Sequence, residues 1–453
     1  MSTRCPLHCD FCYHLGNPPE VITGRIASLK TPHMVRELCR QIAAGNYPAF
    51  DDRVGEYFAN PHILDNIRVF REYFPDDQID FTTSGFGLTE DRVAALATLQ
   101  PVFLQVSLNT ADAATRRRIM KDPMPEVAIA AIRHLCDYRV PFSGTIVAWP
   151  GLELDDIANT IRYLDAHQAV SIKINLPSYT RFFPISEDFD TFETWSRLTE
   201  LVRGLRREVA TPVTWEPYFF DASPFDAVVV GVVRNSPAAR AGLRPGDRLL
   251  EIDGETVVFL EQARRLLIRR DLADDRRRLT VDRDGCVVSV DLVEEGGRDH
   301  DDYPHKPRGH SAVGRMFGVF LHQGLDLFAL GQVRRRLAER PAGRTLLLTS
   351  TLLAPQVEAL FAMAAPLGPG EVTVSAAPNR YFGGNVMIGD LLVASDIVEA
   401  IRLDEAAHGT PDLIVVPGSS FNDGRDLVGA PTSDIVTATS AEVMILSNAR
   451  ILV

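Results

Sequence analysis

The sequence has no run of about eighteen apolar residues, which is roughly the least that spans a bilayer as a helix. Its beginning shows no apolar targeting segment, and no internal repeat or low-complexity tract stands out. Positive charge is in deficit, since 47 Lys and Arg face 60 Asp and Glu and leave a net charge of −13. A nucleic-acid backbone attracts basic surfaces, so it is not expected as a partner. We therefore expect a cytoplasmic protein that binds neither membrane nor nucleic acid.

Cysteine is scarce, with six residues in 453, and three of them lie in one short loop as Cys5, Cys9 and Cys12. Such a loop can aim three thiolates at one point, which suits an iron–sulfur cluster better than a disulfide. A zinc site would need a fourth ligand, for which His8 or His14 is available. A disulfide would leave one thiol over and would need an oxidising compartment. A four-iron cluster on three cysteines would leave one iron open to a small molecule.

The spacing Cys-x-x-x-Cys-x-x-Cys, with Phe11 before and Tyr13 after the last cysteine, resembles that of radical SAM enzymes. The resemblance implies a 4Fe-4S cluster on the three cysteines and S-adenosylmethionine (SAM) on the open iron. It implies an oxidoreductase that cleaves SAM reductively and uses the resulting 5′-deoxyadenosyl radical to abstract hydrogen from a substrate. An electron donor such as flavodoxin or ferredoxin would be the partner. The substrate, a small molecule or a peptide, is not readable from the sequence.

Further positions match the cofactor contacts of that family. Gly55-Glu56 resembles the end of the Gly-Gly-Glu motif, whose role is to bind the methionine amino group. Polar residues of the fourth strand contact ribose or carboxylate, and Gly144-Thr145-Ile146 resembles the stretch that packs on adenine. For each position the alternative is ordinary packing or a surface carboxylate. The cofactor contacts implied by the resemblance are Phe11, Gly55, Glu56, Ser107, Asn109 and Ile146.

Residues 31–207 alternate between helix-like and strand-like segments, which predicts parallel strands joined by right-handed crossovers. The predicted strands are 50–57, 78–84, 102–109, 144–149 and 170–176, and the predicted helices are 29–44, 61–73, 89–99, 126–138, 154–167 and 192–209. The pattern suits an α/β fold, and the resemblance implies a partial (β/α)6 barrel over residues 1–220.

Alternate residues of the predicted strands are polar, as in the series Gln105, Ser107, Asn109 and the series Lys173, Asn175. A period of two places each series on one face of the sheet. A closed small barrel would be filled with branched apolar residues. The polar rows therefore predict an open interior that holds a polar ligand, unless they are solvated edges.

Residues 226–297 resemble a bacterial PDZ domain through Ser236-Pro237-Ala238-Ala239, Gly242-Leu243-Arg244-Pro245-Gly246-Asp247 and Ile252-Asp253-Gly254. The usual Gly-Leu-Gly-Phe-type loop, which binds a peptide carboxylate, is not visible before Val228. A docking module between domains is therefore as consistent with the sequence as peptide capture. The charged stretch 298–312 is interpreted as a solvated linker, with a His/Asp metal site as the alternative.

Residues 313–453 return to an α/β pattern in which apolar strands run into polar or glycine-rich turns. Such turns are where open α/β sheets place ligands, although none has dinucleotide or Walker spacing. The whole chain resembles radical SAM proteins that combine a barrel, a PDZ-like domain and a C-terminal domain of unknown function. We expect this last domain to close the barrel. No catalytic residue is assigned, and the candidate substrate contacts are Lys173, Asn175, Arg181, Asn379 and Tyr381.

A non-catalytic function is the alternative interpretation of the same pattern. The cysteines would then serve an iron–sulfur scaffold or an electron-transfer protein, and the PDZ-like domain would dock its partners. The polar strand faces and Gly55-Glu56 favour an enzyme, because a scaffold has no need of a SAM pocket.

Overall fold

A computed structural model of the chain describes residues 4–18, 29–46, 55–184, 189–216, 225–268, 275–294, 316–322, 327–363 and 367–446. Within these residues the strands form sheets of five, four, two and four strands. None of the described helices is both long and apolar enough to cross a membrane. The linker predicted at 298–312 lies outside the described residues.

The first sheet has five parallel strands that follow one another in chain order. They are β1 Ile79–Thr83, β2 Val102–Val106, β3 Phe142–Val147, β4 Ile172–Asn175 and β5 Val213–Glu216. The helices of this part are α1 Pro32–Ala43, α2 Ile63–Tyr73, α3 Glu90–Ala97, α4 Ala113–Met120, α5 Pro125–Asp137, α6 Leu154–Ala166 and α7 Thr191–Leu205. The predicted α/β fold is confirmed. The strand predicted at 50–57 lies mostly outside the described residues, and α4 and β5 were not predicted.

The register of the five strands separates an apolar face from a polar face. Phe81, Ile174 and Trp215 are buried in the core on the helix side. On the opposite face Gln105 pairs with Thr82 on one neighbour and with Ser143 on the other. Further along the sheet, Thr145 pairs with Lys173, and Lys173 with Thr214. The predicted alternation of polar and apolar positions is confirmed.

The PDZ-like part has the elements β6 Gly231–Val232, α8 Pro237–Arg240, β7 Arg248–Ile252, β8 Glu255–Thr256, α9 Leu260–Leu267, β9 Arg276–Arg283 and β10 Cys286–Val293. It is built on a second sheet, with strand order β10-β9-β7-β8. Strand β11, Val319–Phe320, pairs antiparallel with β6 from beyond the predicted linker.

Residues 316–321 complete the core of this part. Met316, Phe317, Val319 and Leu321 are all buried among the residues of β7, α9 and β9. This places the segment with the PDZ-like part instead of the C-terminal domain that we predicted from residue 313. The sequence did not indicate that residues 316–321 belong to the PDZ-like part, because the charged stretch 298–312 separates them from it.

Specific contacts join the PDZ-like part to the first sheet. Arg234 Nη2 lies 2.6 Å from Asp165 Oδ1, at the end of α6. The rings of Trp215, on β5, and His322 meet edge to face with centroids 5.4 Å apart. These contacts join the two parts, and both interpretations of the PDZ-like part, docking module and peptide capture, stay predictions.

The C-terminal part has the elements α10 Leu327–Glu339, β12 Arg344–Ser350, α11 Ala354–Met363, β13 Glu371–Ala377, α12 Ala394–His408, β14 Leu413–Pro417, α13 Ser433–Thr437 and β15 Glu442–Leu446. Its strands form a parallel sheet with the order β13-β12-β14-β15. The chain steps to one side of β12 to form β13 and then to the other side to form β14.

Phe317→Ala tests whether residues 316–321 belong to the PDZ-like core. The Phe317 ring is fully buried, with the Arg277 guanidinium 5.6 Å from its centroid. We expect its loss to lower the free energy of unfolding by about 3–5 kcal/mol in urea denaturation. The control Val287→Ala, at a side chain that is 70% exposed, should change it by less than about 0.5 kcal/mol. Equal effects of the two substitutions would show that the segment is not part of that core.

Candidate functional site

The cysteine loop rests on the C-terminal end of α4. The backbone N–H groups of His8 and Asp10 donate hydrogen bonds to the carbonyl oxygens of Met120 (3.3 Å) and Ile119 (2.9 Å). The Cys9 thiol also faces the Met120 carbonyl, with Sγ 3.8 Å from the oxygen. The position of the thiols therefore depends on a helix that sequence reasoning missed.

A buried ion pair fixes α4 beneath this loop. Arg116 Nε donates to Asp122 Oδ2 at 2.8 Å, and both side chains are fully buried. The other two guanidinium nitrogens donate to the carbonyl oxygens of Leu108 (2.5 Å) and Ser84 (2.6 Å), just beyond the ends of β2 and β1. One side chain thus ties two strand ends to the helix that supports the cysteines. The sequence signal for α4 was Asp112, whose side chain caps the helix.

The three cysteine thiols influence one another. The pKa of Cys5 is raised to about 11, by burial and then by the charges of Glu56 and Cys12, and the pKa of Cys9 is raised to about 12, by burial and then by the charges of Cys12 and Cys5. Arg116 acts in the opposite direction on Cys9. In the described part of the chain, no three His, Cys, Asp or Glu side chains are arranged as a metal site. The three thiols fit an iron–sulfur cluster in their chemistry. Their raised pKa values mean that the thiolates are unfavourable without a nearby positive charge, and a metal cation supplies that charge.

Glu56 lies at the C-terminal end of β1 and is 2% exposed. One carboxylate oxygen accepts hydrogen bonds from Thr83 Oγ1 (2.6 Å) and Phe58 N (3.2 Å). The other accepts from Ser84 N (2.8 Å) and Ser84 Oγ (2.5 Å). Burial raises the pKa of Glu56, although these donors oppose the shift. The fold already engages both oxygens, and the expectation that this carboxylate binds the methionine amino group stays a prediction. Gly55 precedes it with a φ of 106°.

Ser107 and Asn109 lie where β2 meets β3. Ser107 Oγ is 3.1 Å from Thr145 Oγ1 on the polar face, so this pair of hydroxyls remains a candidate cofactor contact. Asn109 is fully buried: its Oδ1 accepts from Val147 N at 2.8 Å, and its Nδ2 donates to Ser107 O at 3.1 Å. The Asn109 amide therefore joins the strands and is not free for a ligand.

Ile146, another expected cofactor contact, is fully buried in the core shared with the helices. Gly144, two residues earlier on the same face, is required by this packing, since a Cβ there would collide with the Leu164 side chain of α6. The Ile146 side chain thus lies on the helix face of β3, opposite the polar face, and its role as a cofactor contact stays a prediction.

Two aromatic residues near the cysteine loop were missed by sequence reasoning. The Trp149 ring lies 6.3 Å from that of Phe11 and 5.5 Å from that of Phe183. Thr180 Oγ1 donates to Gly16 O at 2.5 Å, which ties the segment after β4 to the end of the cysteine loop. The signal available was Trp149, an aromatic residue at the carboxyl end of the strand predicted at 144–149, a position that often lines a ligand site.

The segment 177–183 is joined in turn to the C-terminal part. Asn385 donates from Nδ2 to Pro177 O at 2.9 Å and accepts at Oδ1 from Tyr179 N at 2.8 Å. Its backbone N–H donates to Tyr179 O at 3.1 Å. At Gly384 a Cβ would collide with that same carbonyl oxygen, and φ is 61°. This position therefore requires glycine.

Arg181 and Tyr381, two candidate substrate contacts, meet at this junction. Arg181 N donates to Phe382 O at 2.7 Å, and the guanidinium lies 5.4 Å from the Tyr381 ring centroid. The Asn379 side chain is hydrogen-bonded to nearby backbone groups: its Nδ2 donates to Leu391 O at 2.7 Å, and its Oδ1 accepts from Phe382 N. The role of Asn379 as a substrate contact stays a prediction.

Lys173 and Asn175 lie on the polar face of β4, as predicted from the alternation. Lys173 Nζ donates to Glu216 Oε2 at 3.2 Å, and both side chains are partly exposed, at 33% and 41%. Glu216 is the register partner of Asn175 on β5. Sequence reasoning missed Glu216, because β5 was not predicted.

Comparison with known families assigns two regions of the chain. Residues 1–164 match the Radical SAM superfamily, and residues 228–283 match the PDZ domain. The chain contains a radical SAM domain and a PDZ domain. The two occur in the combination that the sequence resemblance indicated.

Individual relatives share only parts of this chain. The structure of Streptococcus suis SuiB bound to S-adenosylmethionine is 16% identical, with a TM-score of 0.37 over 48% of either chain. Methylornithine synthase (PylB) is 15% identical, with a TM-score of 0.31 over 47% of this chain and 68% of its own. The magnetosome formation protease MamE of Paramagnetospirillum magneticum is 45% identical over 65 residues, 14% of this chain and 9% of its own. A candidate zinc metalloprotease of Brucella suis is 31% identical over 108 residues, and the chain spans 28% of its length.

Glu56→Gln tests the structural role of this carboxylate. An amide nitrogen cannot accept the hydrogen bonds that one oxygen now accepts. We expect the free energy of unfolding to fall by about 1.5–3 kcal/mol for each bond lost, as measured in urea. Glu358→Gln, at an exposed position of α11, is the control and should be neutral. If stability is unchanged while SAM affinity falls, Glu56 acts on the ligand and this assignment is wrong.

Proposed function

We propose that this chain is a radical SAM enzyme that carries a 4Fe-4S cluster on Cys5, Cys9 and Cys12, cleaves SAM reductively and abstracts hydrogen from a substrate. The observation that carries the proposal is the cysteine loop, which lies on α4 beside the carboxyl ends of a parallel sheet, within the region that matches the superfamily. When bound, the cluster and SAM supply the electron transfer and radical chemistry.

The protein would contribute position, shape and exclusion of water. Arg116 and Glu56 hold the strand ends around the cysteine loop. The hydroxyls of Ser107 and Thr145 face the polar side of the sheet and can donate or accept hydrogen bonds there. The partly exposed Lys173–Glu216 pair offers both charges to a polar substrate. The role of these side chains would be to orient the reactants. Reactants that are already held in position lose less freedom on reaching the transition state, which lowers the activation barrier.

We propose that the C-terminal part is the lid of this site. Its turn at Gly384-Asn385 holds segment 177–183, and that segment contacts the cysteine loop through Thr180 and Phe183. A reactive intermediate needs such shielding from solvent. The domains we propose are the barrel, residues 1–220, the PDZ-like part, residues 226–297 together with 316–321, and the remainder up to residue 453.

The partners follow from the same chemistry. An electron donor such as flavodoxin or ferredoxin would reduce the cluster. The substrate class stays open between a small molecule and a peptide, and the PDZ domain favours a peptide or protein. The free thiols of the described cysteines suit a reducing compartment such as the cytoplasm.

Anaerobic incubation with SAM and dithionite tests the enzyme against the non-catalytic alternative. We expect the reconstituted protein to release 5′-deoxyadenosine, measured by chromatography. Replacing Cys5, Cys9 and Cys12 together by Ala should remove both the brown chromophore and the product. The matched control Cys286→Ala, at an exposed cysteine, should retain both. A wild-type protein that holds iron but releases no 5′-deoxyadenosine would support the scaffold instead.

Gly384→Ala tests the lid. The added methyl group should displace segment 177–183, so hydrogen–deuterium exchange of that segment and bleaching of the chromophore in air should both become faster. Gly409→Ala is the control, because Gly409 also has a positive φ, 80°, but has no neighbouring atom within 4 Å of a Cβ. Faster exchange with unchanged bleaching would mean that the junction exists but does not shield the site.

A further inference from the structure

A groove of about 340 Å³ lies between helices α6 and α7. Three leucines line it, two of them on α7, and its other lining residues are two Arg, two Glu and Gly204. A different face of α7 is buried in the core of the first sheet through Leu198 and Val202. The groove therefore lies on the outer side of α7, where Arg197 and Glu200 are exposed.

Gly204 leaves open the middle of this groove. Its φ is not left-handed, and the helical turn continues past it, since Arg206 N donates to Val202 O at 2.9 Å. Gly204 is therefore not a helix-ending cap, and glycine is less favourable than alanine within a helix. In the described structure no atom lies within 4 Å of where its Cβ would be, so packing does not require glycine here. The gap has room for a side chain from another molecule.

The residues around the gap follow the spacing of one helix face. Arg197, Leu201, Gly204 and Glu208 recur at intervals of four, three and four positions, which places them in one row. Glu208 belongs to the turn that continues α7, where its N–H donates to Leu205 O at 2.8 Å. The row thus has a cation at one end, an anion at the other, and an apolar side chain beside the gap.

This row is complementary to itself in the antiparallel sense. A two-fold axis that places Leu201 of one copy over Gly204 of another also brings Arg197 opposite Glu208. The reason is that Arg197 precedes Leu201 by four positions and Glu208 follows Gly204 by four. A two-fold interface repeats every contact twice, so both ends of the row would be paired.

The charges at the two ends are available for such pairing. Among the described residues Arg197 makes no hydrogen bond or ion pair. Glu208 accepts from Arg162 Nε (3.2 Å) and Nη2 (2.9 Å), and both bonds go to Oε2, so Oε1 can accept from a second cation. The Arg162 and Glu208 side chains are 50% and 53% exposed. Two Arg and two Glu leave the groove without net charge, which suits a surface with the same residues better than an ion.

We propose that the outer face of α7 is a self-association surface, on which a second copy of this chain packs its own α7 in the antiparallel direction. Leu201 of each copy fills the gap at the partner's Gly204, and Arg197 of each copy pairs with the partner's Glu208. This surface is independent of the proposed chemistry. It begins at the junction with the C-terminal part, since Asn385 Nδ2 donates to Thr191 Oγ1, at the start of α7, at 3.3 Å.

Sedimentation velocity of the full-length protein over a range of concentrations tests the gap. We expect the wild type to show a monomer–dimer equilibrium and Gly204→Gln to raise its dissociation constant at least about tenfold, because the new side chain occupies the gap. The control Gly331→Gln lies on α10, at another helical glycine with no atom within 4 Å of a Cβ, and should dimerise as the wild type does. Neither substitution should lower the thermal midpoint, because glutamine favours helix over glycine.

Charge reversal at the two ends tests the antiparallel arrangement. Arg197→Glu or Glu208→Arg alone places like charges opposite each other at both contacts, so each should weaken dimerisation about tenfold at low salt. An equimolar mixture of the two variants should restore association, because opposite charges then meet at both contacts. The control Arg334→Glu, at an exposed position of α10, should leave dimerisation unchanged.

Three results would each overturn the proposal. They are a wild type that stays monomeric up to about 100 μM, dimerisation that Gly204→Gln weakens no more than Gly331→Gln does, and a mixture of charge variants that associates no better than either variant alone. If Gly204→Gln fails to fold, the mixture decides the outcome.

Discussion

The buried ion pair of Arg116 and Asp122 is the interaction on which the candidate site depends. The Arg116 guanidinium, which is fully buried, donates hydrogen bonds to a carboxylate and to two backbone carbonyls. Burial lowers the pKa of Arg116, and the charge of Asp122 opposes this shift. Removing one member of such a pair leaves a buried charge uncompensated, which costs about 3–5 kcal/mol. The arrangement therefore stabilises one relation between β1, β2 and α4, and through α4 it positions the cysteines.

The junction between the first sheet and the C-terminal part extends this order outwards. The Asn385 side chain hydrogen-bonds to the backbone groups of segment 177–179, as the backbone of a neighbouring strand would. Gly384 lets the two backbones come close, because it has no Cβ to collide with the Tyr179 carbonyl oxygen. Segment 177–183 therefore contacts the cysteine loop on one side and the C-terminal turn on the other. A change in the C-terminal part can reach the cysteine loop through these few contacts, which gives the third domain a physical means of influencing the proposed chemistry.

Much of the fold could be predicted because its signals are local. The alternation around Gln105 and Lys173 is confirmed, since side chains in a strand point to opposite faces with a period of two. The turn from Gly242 to Asp247 identified the PDZ-like part in the same way. Strand β5 was missed because Val213–Glu216 is short and follows α7 closely. Strand β11 was assigned to the wrong domain, because its partner β6 lies on the far side of the linker.

The sequence by itself identified the cysteine loop as the candidate cluster site, because its three thiols lie so close together in the chain. It could not determine which neighbouring polar residues are available to a ligand. Glu56, Asn109 and Asn379 fit that role by type, yet their hydrogen bonds are used by the protein itself. Only the tertiary structure decided this, since the partners of Glu56 and Asn109 lie on other elements, and Tyr179 and Asn385 are 206 positions apart.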